Sequence, residues 1–289
     1  MASSLPAFTE RFAPLASGYD VVLCDVWGVV HNSIVSFPEA CEALQRYRAG
    51  GGTVIMITNA PRPHDEVVRF IARLGVPADA YDGMVSSGDV TRAYISDHLE
   101  RSIFRIGPER DLPIYEGLDV RFAPLEEADY VVCTGLFDDE TETAENYRDL
   151  LGQMRARRLF MVCANPDVVV ERGEKLVYCA GAIADLYRSL GGEVLYAGKP
   201  HRPIYDRALA EASALRGKPA PLDRVLAIGD SVRTDLAGAA SLGVDCLFVT
   251  AGIHAEDFGG REDPDLGAIG RTFTAAGLMP KAIMHRLRW

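Results

Sequence analysis

Short apolar runs alternate with stretches of helical spacing near both ends of the chain. Apolar runs at 19–25 and 53–58 are each followed by a stretch of helical spacing, at 39–51 and 63–76. This β-α-β-α order predicts a parallel sheet with helices on both faces. The same order returns late in the chain, in strands and helices predicted at 193–198, 203–215, 224–229, 234–243 and 245–250.

A long segment between these two stretches has strands and helices of its own. They are predicted at 102–107, 129–135, 141–156, 158–167 and near 180–190. The segment is large enough to form a second α/β domain inserted into the first. We therefore expect a core domain built from 1–83 and 193–289, with an inserted domain at 84–192.

Composition and charge narrow the class of protein. The 289 residues are 48% hydrophobic and 25% charged, as in globular proteins, and the formal charge of −11 would repel nucleic acid. The start of the chain lacks a basic segment followed by an apolar one, and no apolar run approaches the roughly 20 residues that span a bilayer. We expect a cytoplasmic protein with neither nucleic acid nor a membrane as partner. The six cysteines show no CxxC pair and are expected to be buried thiols.

Polar residues follow several of the predicted strands. Asp25 ends the first strand, Thr58 and Asn59 end the second, and Lys199 and Asp230 follow two of the late strands. Because ligands of open parallel sheets bind at the carboxyl ends of the strands, these side chains are expected to converge. A carboxylate such as Asp25 can attack phosphorus as a nucleophile. Asp25 and Asp230 together offer the one or two carboxylates that Mg²⁺ prefers.

Each of these residues also has a purely structural interpretation. Aspartate after a strand is common in turns, and a lysine in a loop is commonly solvated. Thr58 and Asn59 could face a phosphate oxygen with a hydroxyl, an amide and backbone N–H groups, yet Thr-Asn pairs are also frequent in turns. Asp235 lies near the start of a predicted helix, where the helix dipole favours an acid, so we assign it a supporting role.

Taken in order, these segments resemble the haloacid dehalogenase superfamily, and within it the class IIA branch of NagD-like and 4-nitrophenylphosphatase-like enzymes. The resemblance rests on DVWGVV, ITN, GKP and GDSVRTD in this order, and on ANPD and GAIADLYRSLGG in the inserted segment. It implies a Rossmann-like core with an inserted α/β cap domain of C2 type. It also implies Mg²⁺ as cofactor and hydrolysis of a small phosphorylated metabolite through an aspartyl-phosphate.

The resemblance also assigns roles to individual residues. Asp25 would be the nucleophile and a metal ligand, with the backbone carbonyl of Trp27 and the carboxylate of Asp230 as further ligands. The transferring phosphoryl group would be held by Thr58, Asn59 and Lys199, the last of them also a catalytic residue.

Trp27 is the position where the chain departs from the family pattern. Phosphatases of this superfamily have a second aspartate two residues after the nucleophile, which acts as general acid and then as general base. An indole has no proton to exchange in this way. Three consequences stay open: a slow or selective phosphatase, a replacement acid, or a protein that binds a phosphorylated metabolite without turnover. The candidate acid is His31, with His64 and His201 beside the other motifs.

The inserted segment carries the candidates for substrate specificity. Asn165, Asp167 and Tyr178 could contact the leaving group, although ANPD could equally be a plain turn. A dinucleotide-binding protein is excluded because the first strand is followed by DVWGVV and not by a glycine-rich loop. The sequence names neither the substrate nor the oligomeric state, and a homo-oligomer stays open.

Overall fold

Strands and helices alternate along the chain, and most of the strands are parallel. The computed structural model describes residues 6–172, 175–260 and 262–289. The strands in chain order are β1 (Ala7–Phe8), β2 (Val21–Asp25), β3 (Thr53–Thr58), β4 (Gly83–Ser86), β5 (Ser102–Ile106), β6 (Arg121–Phe122), β7 (Tyr130–Cys133), β8 (Phe160–Cys163), β9 (Val169–Arg172), β10 (Lys175–Tyr178), β11 (Glu193–Tyr196), β12 (Val225–Gly229), β13 (Asp245–Val249) and β14 (Ala282–Met284). The helices are α1 (Ala13–Ala16), α2 (Pro38–Ala49), α3 (His64–Arg73), α4 (Ser87–Ser96), α5 (Arg148–Ala156), α6 (Ala180–Ser189), α7 (Arg202–Arg216), α8 (Ala237–Leu242) and α9 (Leu266–Ala276).

The chain divides into two compact units. The first unit contains residues 6–58, 68–85, 205–260 and 262–289. The second unit contains residues 59–67, 86–172 and 175–204. Each unit has a parallel sheet of its own, so the fold is α/β in both, as the alternating pattern predicts.

The first unit is built on a seven-stranded sheet in the order β1-β14-β13-β12-β2-β3-β4. The pairings from β1 through to β3 are all parallel. Every residue of β2, β3 and β12 is buried, as expected for central strands covered on both faces. The order of the strands reverses between β2 and β12, and ligands of open α/β sheets bind at such a point.

The second unit is built on a five-stranded sheet in the order β11-β8-β7-β5-β6, with all pairs parallel. Helices α5 and α6 bury Leu151, Met154, Ile183 and Tyr187 in one core cluster with Met161 of β8. Strands β9 and β10 form a separate antiparallel pair. The buried cluster gives this unit a hydrophobic core of its own.

The second unit differs from the predicted inserted domain, 84–192, at both of its ends. The predicted core domain begins its second part at 193 and so includes β11, but this strand pairs with β8, with Glu193 opposite Phe160. The short segment 59–67 also belongs to the second unit. A buried strand has the same apolar pattern in either sheet, so the periodicity of the sequence does not show which sheet the strand joins.

The pattern also misses β4, α4 and the β9–β10 pair. Helix α4 begins with a reciprocal cap, in which the Ser86 hydroxyl accepts from the Asp89 N–H and the Asp89 carboxylate accepts from the Ser86 N–H. Gly88 is needed there because a Cβ atom would lie 2.2 Å from the Arg62 carbonyl oxygen. Serine and glycine are typical of loops, so the sequence pattern at the start of α4 indicates a loop and not a helix.

Helix α5 starts later than the predicted 141. It begins at Arg148, after a 3-10 turn over Ala144–Tyr147. The side chains of Thr143 and Asn146 form a reciprocal cap at the start of that turn, which ends the preceding loop.

The state of the cysteines is a further expectation that the structure tests. All six cysteines are buried thiols. Burial raises the pKa of Cys133 to about 12, so this thiol stays protonated at neutral pH. Within the described part of the chain, none of the helices combines the length and the apolar character needed to cross a membrane.

Candidate active site

Asp25 and Asp230 lie at the carboxyl ends of two adjacent strands of the first sheet. Asp25 is the last residue of β2, and Asp230 follows Gly229, the last residue of β12. Cys24 and Ile228 are register partners, so both carboxylates leave the sheet at the same edge. Both aspartates are nearly buried, with 6% and 5% of their surface exposed. They meet where the strand order reverses.

A third carboxylate, that of Asp235, completes an acidic cluster. One carboxylate oxygen from each of Asp25, Asp230 and Asp235 lies within 4.8 Å of the other two, and all three residues are buried. Buried like charges at this separation repel one another unless a cation neutralises them. Carboxylate oxygens are the ligands that Mg²⁺ prefers. The donor set therefore fits a hard divalent cation.

Asp235 also orients the loop that carries Asp230. One oxygen of its carboxylate accepts hydrogen bonds from the backbone N–H groups of Asp230 at 3.2 Å and Ser231 at 3.1 Å. Asp235 itself lies in a π-helical turn, Val232–Leu236, that leads into α8. Asp235 thus holds the Asp230 loop through its backbone, and its part in the reaction stays a prediction.

Two glycines give the Asp230 carboxylate its space. A Cβ atom at Gly28 would lie 2.0 Å from Asp230 Oδ2, and one at Gly252 would lie 1.9 Å from the same oxygen. Gly28 also has a φ of +84°, which favours glycine. The Ile253 N–H donates to Oδ2 at 2.8 Å. The sequence reasoning missed Gly252, and the signal that points to it is its place shortly after β13, at the same edge of the sheet.

Trp27 lies in the tight loop that follows β2. In this loop the Gly28 N–H donates to the His31 carbonyl at 2.8 Å, and the Val30 N–H donates to the Val26 carbonyl at 2.9 Å. The indole is partly buried, and its ring centroid lies 5.4 Å from that of His31. Because an indole N–H is a donor only, Trp27 leaves this position without an acid or a base. Metal ligation by its carbonyl stays a prediction.

His31, the predicted replacement acid, is held in the same loop. It is only 2% exposed, and the rings of Trp27 and Phe70 lie 5.4 and 5.8 Å from its own. Burial lowers the pKa of His31 to about 4, so the imidazole is neutral at pH 7. The Ser33 N–H donates to Nδ1 at 2.9 Å, which places the ring proton on Nε2. These contacts disfavour His31 as a general acid at neutral pH.

The predicted phosphate-binding residues are also buried. Thr58 is the last residue of β3, and 8% of its surface is exposed. Asn59 and Lys199 are each 3% exposed and lie together in the second unit. Asn59 Oδ1 accepts a hydrogen bond from the Lys199 N–H at 2.7 Å, and its Nδ2 donates to the Lys199 carbonyl at 3.1 Å. The Asn59 side chain thus binds backbone in this structure.

The three candidates for substrate specificity have different surroundings. Asn165 Oδ1 accepts from the Asp167 N–H at 3.1 Å, which closes a turn after β8. Asp167 Oδ1 accepts from Asn59 Nδ2 at 2.9 Å. Tyr178 ends β10 and is 41% exposed. The contacts of Asn165 and Asp167 favour the interpretation as a structural turn, and a role for Tyr178 stays a prediction.

The two other histidines considered as acids both lie in the second unit and contact neighbours there. His64 Nδ1 lies 2.9 Å from Asp89 Oδ1, at the start of α3. The His201 ring stacks on Tyr196, with centroids 4.5 Å apart and an interplanar angle of 11°. Neither contact assigns a proton-transfer role to these histidines.

The sequence matches two family profiles. Residues 22–121 match the family described as haloacid dehalogenase-like hydrolase, and residues 196–268 match the one described as HAD-hydrolase-like. The search of curated proteins gives no match. The two matched ranges contain the acidic cluster and the Lys199 motif.

Solved structures similar to this chain include a hydrolase of the haloacid dehalogenase-like family from Brucella suis 1330. It is 50% identical, with coverage of 97% of this chain and 100% of that chain and a TM-score of 0.86. A possible sugar phosphatase of the HAD superfamily from Cytophaga hutchinsonii ATCC 33406 is 19% identical over 97% and 98% of the two chains, with a TM-score of 0.76. A glycerol phosphate phosphatase from Mycobacterium tuberculosis, solved in complex with calcium, is 22% identical over 94% and 74%, with a TM-score of 0.66. The last two show a likeness of fold.

Proposed function

The chain belongs to the haloacid dehalogenase-like hydrolase family, and on that premise we propose that it is a Mg²⁺-dependent phosphatase for a small phosphate monoester. The observation that carries the proposal is the buried cluster of Asp25, Asp230 and Asp235 at the strand ends. The names of the sugar and glycerol phosphate phosphatases support the same class of substrate. We keep the cytoplasm as the predicted compartment and a phosphorylated metabolite as the predicted partner.

Asp25 is the proposed nucleophile. In the first step, one of its carboxylate oxygens forms a bond to phosphorus while the bond from phosphorus to the leaving oxygen breaks, which gives an aspartyl-phosphate. In the second step, water attacks phosphorus, the bond to the Asp25 oxygen breaks, and inorganic phosphate is released. A Mg²⁺ ion held by Asp25, Asp230 and the Trp27 carbonyl would neutralise charge on the phosphoryl oxygens.

Because the sequence resembles this family, Thr58, the loop backbone at Asn59 and Lys199 are proposed to hold the phosphoryl group. A lysine ammonium neutralises phosphate charge, and positioning with charge neutralisation carries most of the catalysis in phosphoryl transfer. The burial of Lys199 and Thr58 supports this role, because a buried hydroxyl or ammonium interacts more strongly with an anion than an exposed one does.

Trp27 narrows the class of substrate. A general acid contributes roughly a hundred- to ten-thousand-fold to such a reaction, and Trp27 cannot supply it. Efficient turnover is therefore expected for leaving groups that are stable as anions, such as phenolates, and slow turnover for alkoxides. The low pKa of the buried His31, about 4, argues against this histidine as a replacement for the missing acid.

The same tryptophan favours one alternative from another functional class. A chain that keeps the acidic cluster but has no general acid could bind a phosphorylated metabolite and leave it intact. The alternative retains the roles of Asp230 and Lys199 in binding and removes only the turnover.

The test is phosphate release by the wild-type protein with Mg²⁺ and with a chelator. The panel pairs 4-nitrophenyl phosphate with a sugar phosphate, glycerol phosphate and a nucleoside monophosphate. The Asp230→Asn variant removes one carboxylate of the cluster, and Asp149→Asn, exposed in the first turn of α5, is the matched control. We expect Mg²⁺-dependent release that Asp230→Asn abolishes and Asp149→Asn retains. Binding of these compounds without release from any of them would establish the alternative instead.

A further inference from the structure

The Asn59 side chain connects three loops of the second unit. Its Oδ1 accepts from the Lys199 N–H at 2.7 Å, and its Nδ2 donates to the Lys199 carbonyl at 3.1 Å and to Asp167 Oδ1 at 2.9 Å. The loops are the one that begins at Asn59 itself, the ANPD loop at 164–167 and the AGKP loop at 197–200. Each carries one of the motifs that the sequence singles out.

These bonds use both hydrogens of the Asn59 amide. A primary amide has two N–H donors, and here one binds the Lys199 carbonyl while the other binds Asp167. The Asn59 side chain therefore has no N–H left for a phosphate oxygen, and its carbonyl oxygen cannot donate to one. Its predicted contact with the phosphoryl group would need one of these bonds to break.

The same bonds fix the backbone of Lys199 on both sides. The backbone N–H and the backbone carbonyl of Lys199 are both bonded to the Asn59 side chain, so the Lys199 backbone cannot move away from Asn59 without breaking both hydrogen bonds. Gly198 permits this close approach, because a Cβ atom there would lie 2.2 Å from Asn59 Oδ1 and 2.9 Å from Ser87 Cβ. Asn59 thus fixes the position of the Lys199 backbone, from which the lysine side chain extends.

The ANPD loop, which also contacts Asn59, is fixed by hydrogen bonds of its own. Asn165 Oδ1 accepts from the Asp167 N–H, and the Asp167 carbonyl accepts from the Gly181 N–H at 3.1 Å. The Ala164 carbonyl accepts from the Ser87 hydroxyl. Asp167, at the end of this loop, therefore presents a fixed acceptor to Asn59.

We propose that Asn59 is a positioning residue that sets the Lys199 backbone and links it to Asp167, so that the ANPD loop controls how Lys199 meets a phosphate. The inference rests on the proposed function, because it needs Lys199 to bind phosphate. Asp167 acts in it as the acceptor that orients the Asn59 amide.

The experiment measures the Kd of inorganic phosphate in the presence of Mg²⁺, and the Kd of Mg²⁺ alone, by titration calorimetry. Asn59→Asp keeps the acceptor for the Lys199 N–H, loses both donors and places a second carboxylate against Asp167. The double variant Asn59→Asp with Asp167→Asn restores an N–H donor between positions 59 and 167. The single variant Asp167→Asn completes the double-mutant cycle. The control is Asn146→Asp, because the Asn146 Oδ1 accepts from Thr143 and an aspartate keeps that acceptor.

We expect Asn59→Asp to weaken phosphate binding about 10- to 100-fold, as for groups displaced by about 1 Å, and to leave Mg²⁺ binding within about twofold. The double variant should recover at least about threefold of that loss, and the control should bind phosphate as wild type does. Unchanged phosphate binding in Asn59→Asp, equal losses for phosphate and Mg²⁺, or a double variant without recovery would overturn the inference. If Asn59→Asp does not fold by thermal melting, Asn59→Ser answers the same question.

The wild-type titration separates this inference from the proposed function. A wild-type protein that binds no phosphate with Mg²⁺ overturns the proposed function and this inference with it. A wild-type protein that binds phosphate, with Asn59 variants equal to it, overturns the inference alone.

Discussion

The Gly252→Ala substitution tests whether the geometry around Asp230 creates the proposed metal site. The added Cβ atom would lie 1.9 Å from Asp230 Oδ2 and 2.4 Å from its Cγ. An ordinary contact starts at 3.4 Å, so the carboxylate must retreat by about 1.5 Å, the difference between 3.4 and 1.9 Å. Such a shift also breaks the 2.8 Å bond from the Ile253 N–H.

Metal ligands tolerate displacements of about 0.2 Å, so a carboxylate moved this far is lost as a ligand. Loss of an outer contact alone weakens metal binding about 10- to 100-fold, and we expect at least about 100-fold here. The assay is Mg²⁺ titration by calorimetry, together with the Mg²⁺ concentration that gives half-maximal phosphate release. Thermal melting shows whether the variant is folded.

Gly152→Ala is the matched control for this substitution. Gly152 lies inside α5, and a Cβ atom there meets nothing within 4 Å. Alanine should therefore stabilise the protein by about 0.5 to 1 kcal/mol and leave Mg²⁺ binding unchanged. If folded Gly252→Ala binds Mg²⁺ as tightly as Gly152→Ala does, the reasoning about Asp230 is refuted.

Three further predictions follow. Trp27→Asp should raise the turnover of alkyl phosphates about 100- to 10,000-fold, because the aspartate supplies the missing acid. Wild type with 4-nitrophenyl phosphate should show a burst of nitrophenol before slow dephosphorylation. Equal turnover of alkyl phosphates by the variant and wild type, with no burst in wild type, would contradict this. Below pH 6.5, His31 takes up a proton in the unfolded chain but not in the folded one, where its pKa is about 4. Between pH 6.5 and 4, the free energy of unfolding of wild type, measured in urea, should therefore fall by about 3 kcal/mol relative to that of His31→Phe, with no such fall above pH 6.5. A difference in unfolding free energy that stays constant with pH would exclude the buried neutral state. Ser86→Ala should lower the free energy of unfolding by about 0.5 to 2 kcal/mol through the lost cap of α4, and an unchanged urea midpoint would count against that cap.

The family, the α/β fold and the presence of a hydrolase are predicted correctly from the sequence. The prediction succeeds because a parallel sheet gathers the residues at its strand ends, and Asp25 and Asp230 stand directly at such ends. The roles of the individual site residues, Mg²⁺ itself and the substrate stay predictions that the experiments above decide.

The sequence does not predict the use of the Asn59 side chain. Its partners, Asp167 and Lys199, are 108 and 140 residues away along the chain, and only the fold brings them near. The same holds for Gly252, whose small size matters because Asp230, on another loop, occupies the space that a side chain would need. Local periodicity carries no information about such approaches.

The placement of β11 and the state of His31 show two other limits. A strand that is apolar reads the same in either sheet, so the pairing of Glu193 with Phe160 had to come from the structure. His31 reads as a loop histidine, which is usually solvated, and its burial beside Trp27 and Phe70 depends on tertiary packing.

The central claim is that Asp25 is the nucleophile of a Mg²⁺-dependent phosphatase. Its most direct test is kcat/KM for phosphate release from 4-nitrophenyl phosphate with Mg²⁺, measured for wild type, Asp25→Asn and the exposed control Asp149→Asn. The account predicts release by wild type and the control, and none above background for folded Asp25→Asn. Turnover by Asp25→Asn equal to that of wild type would contradict it.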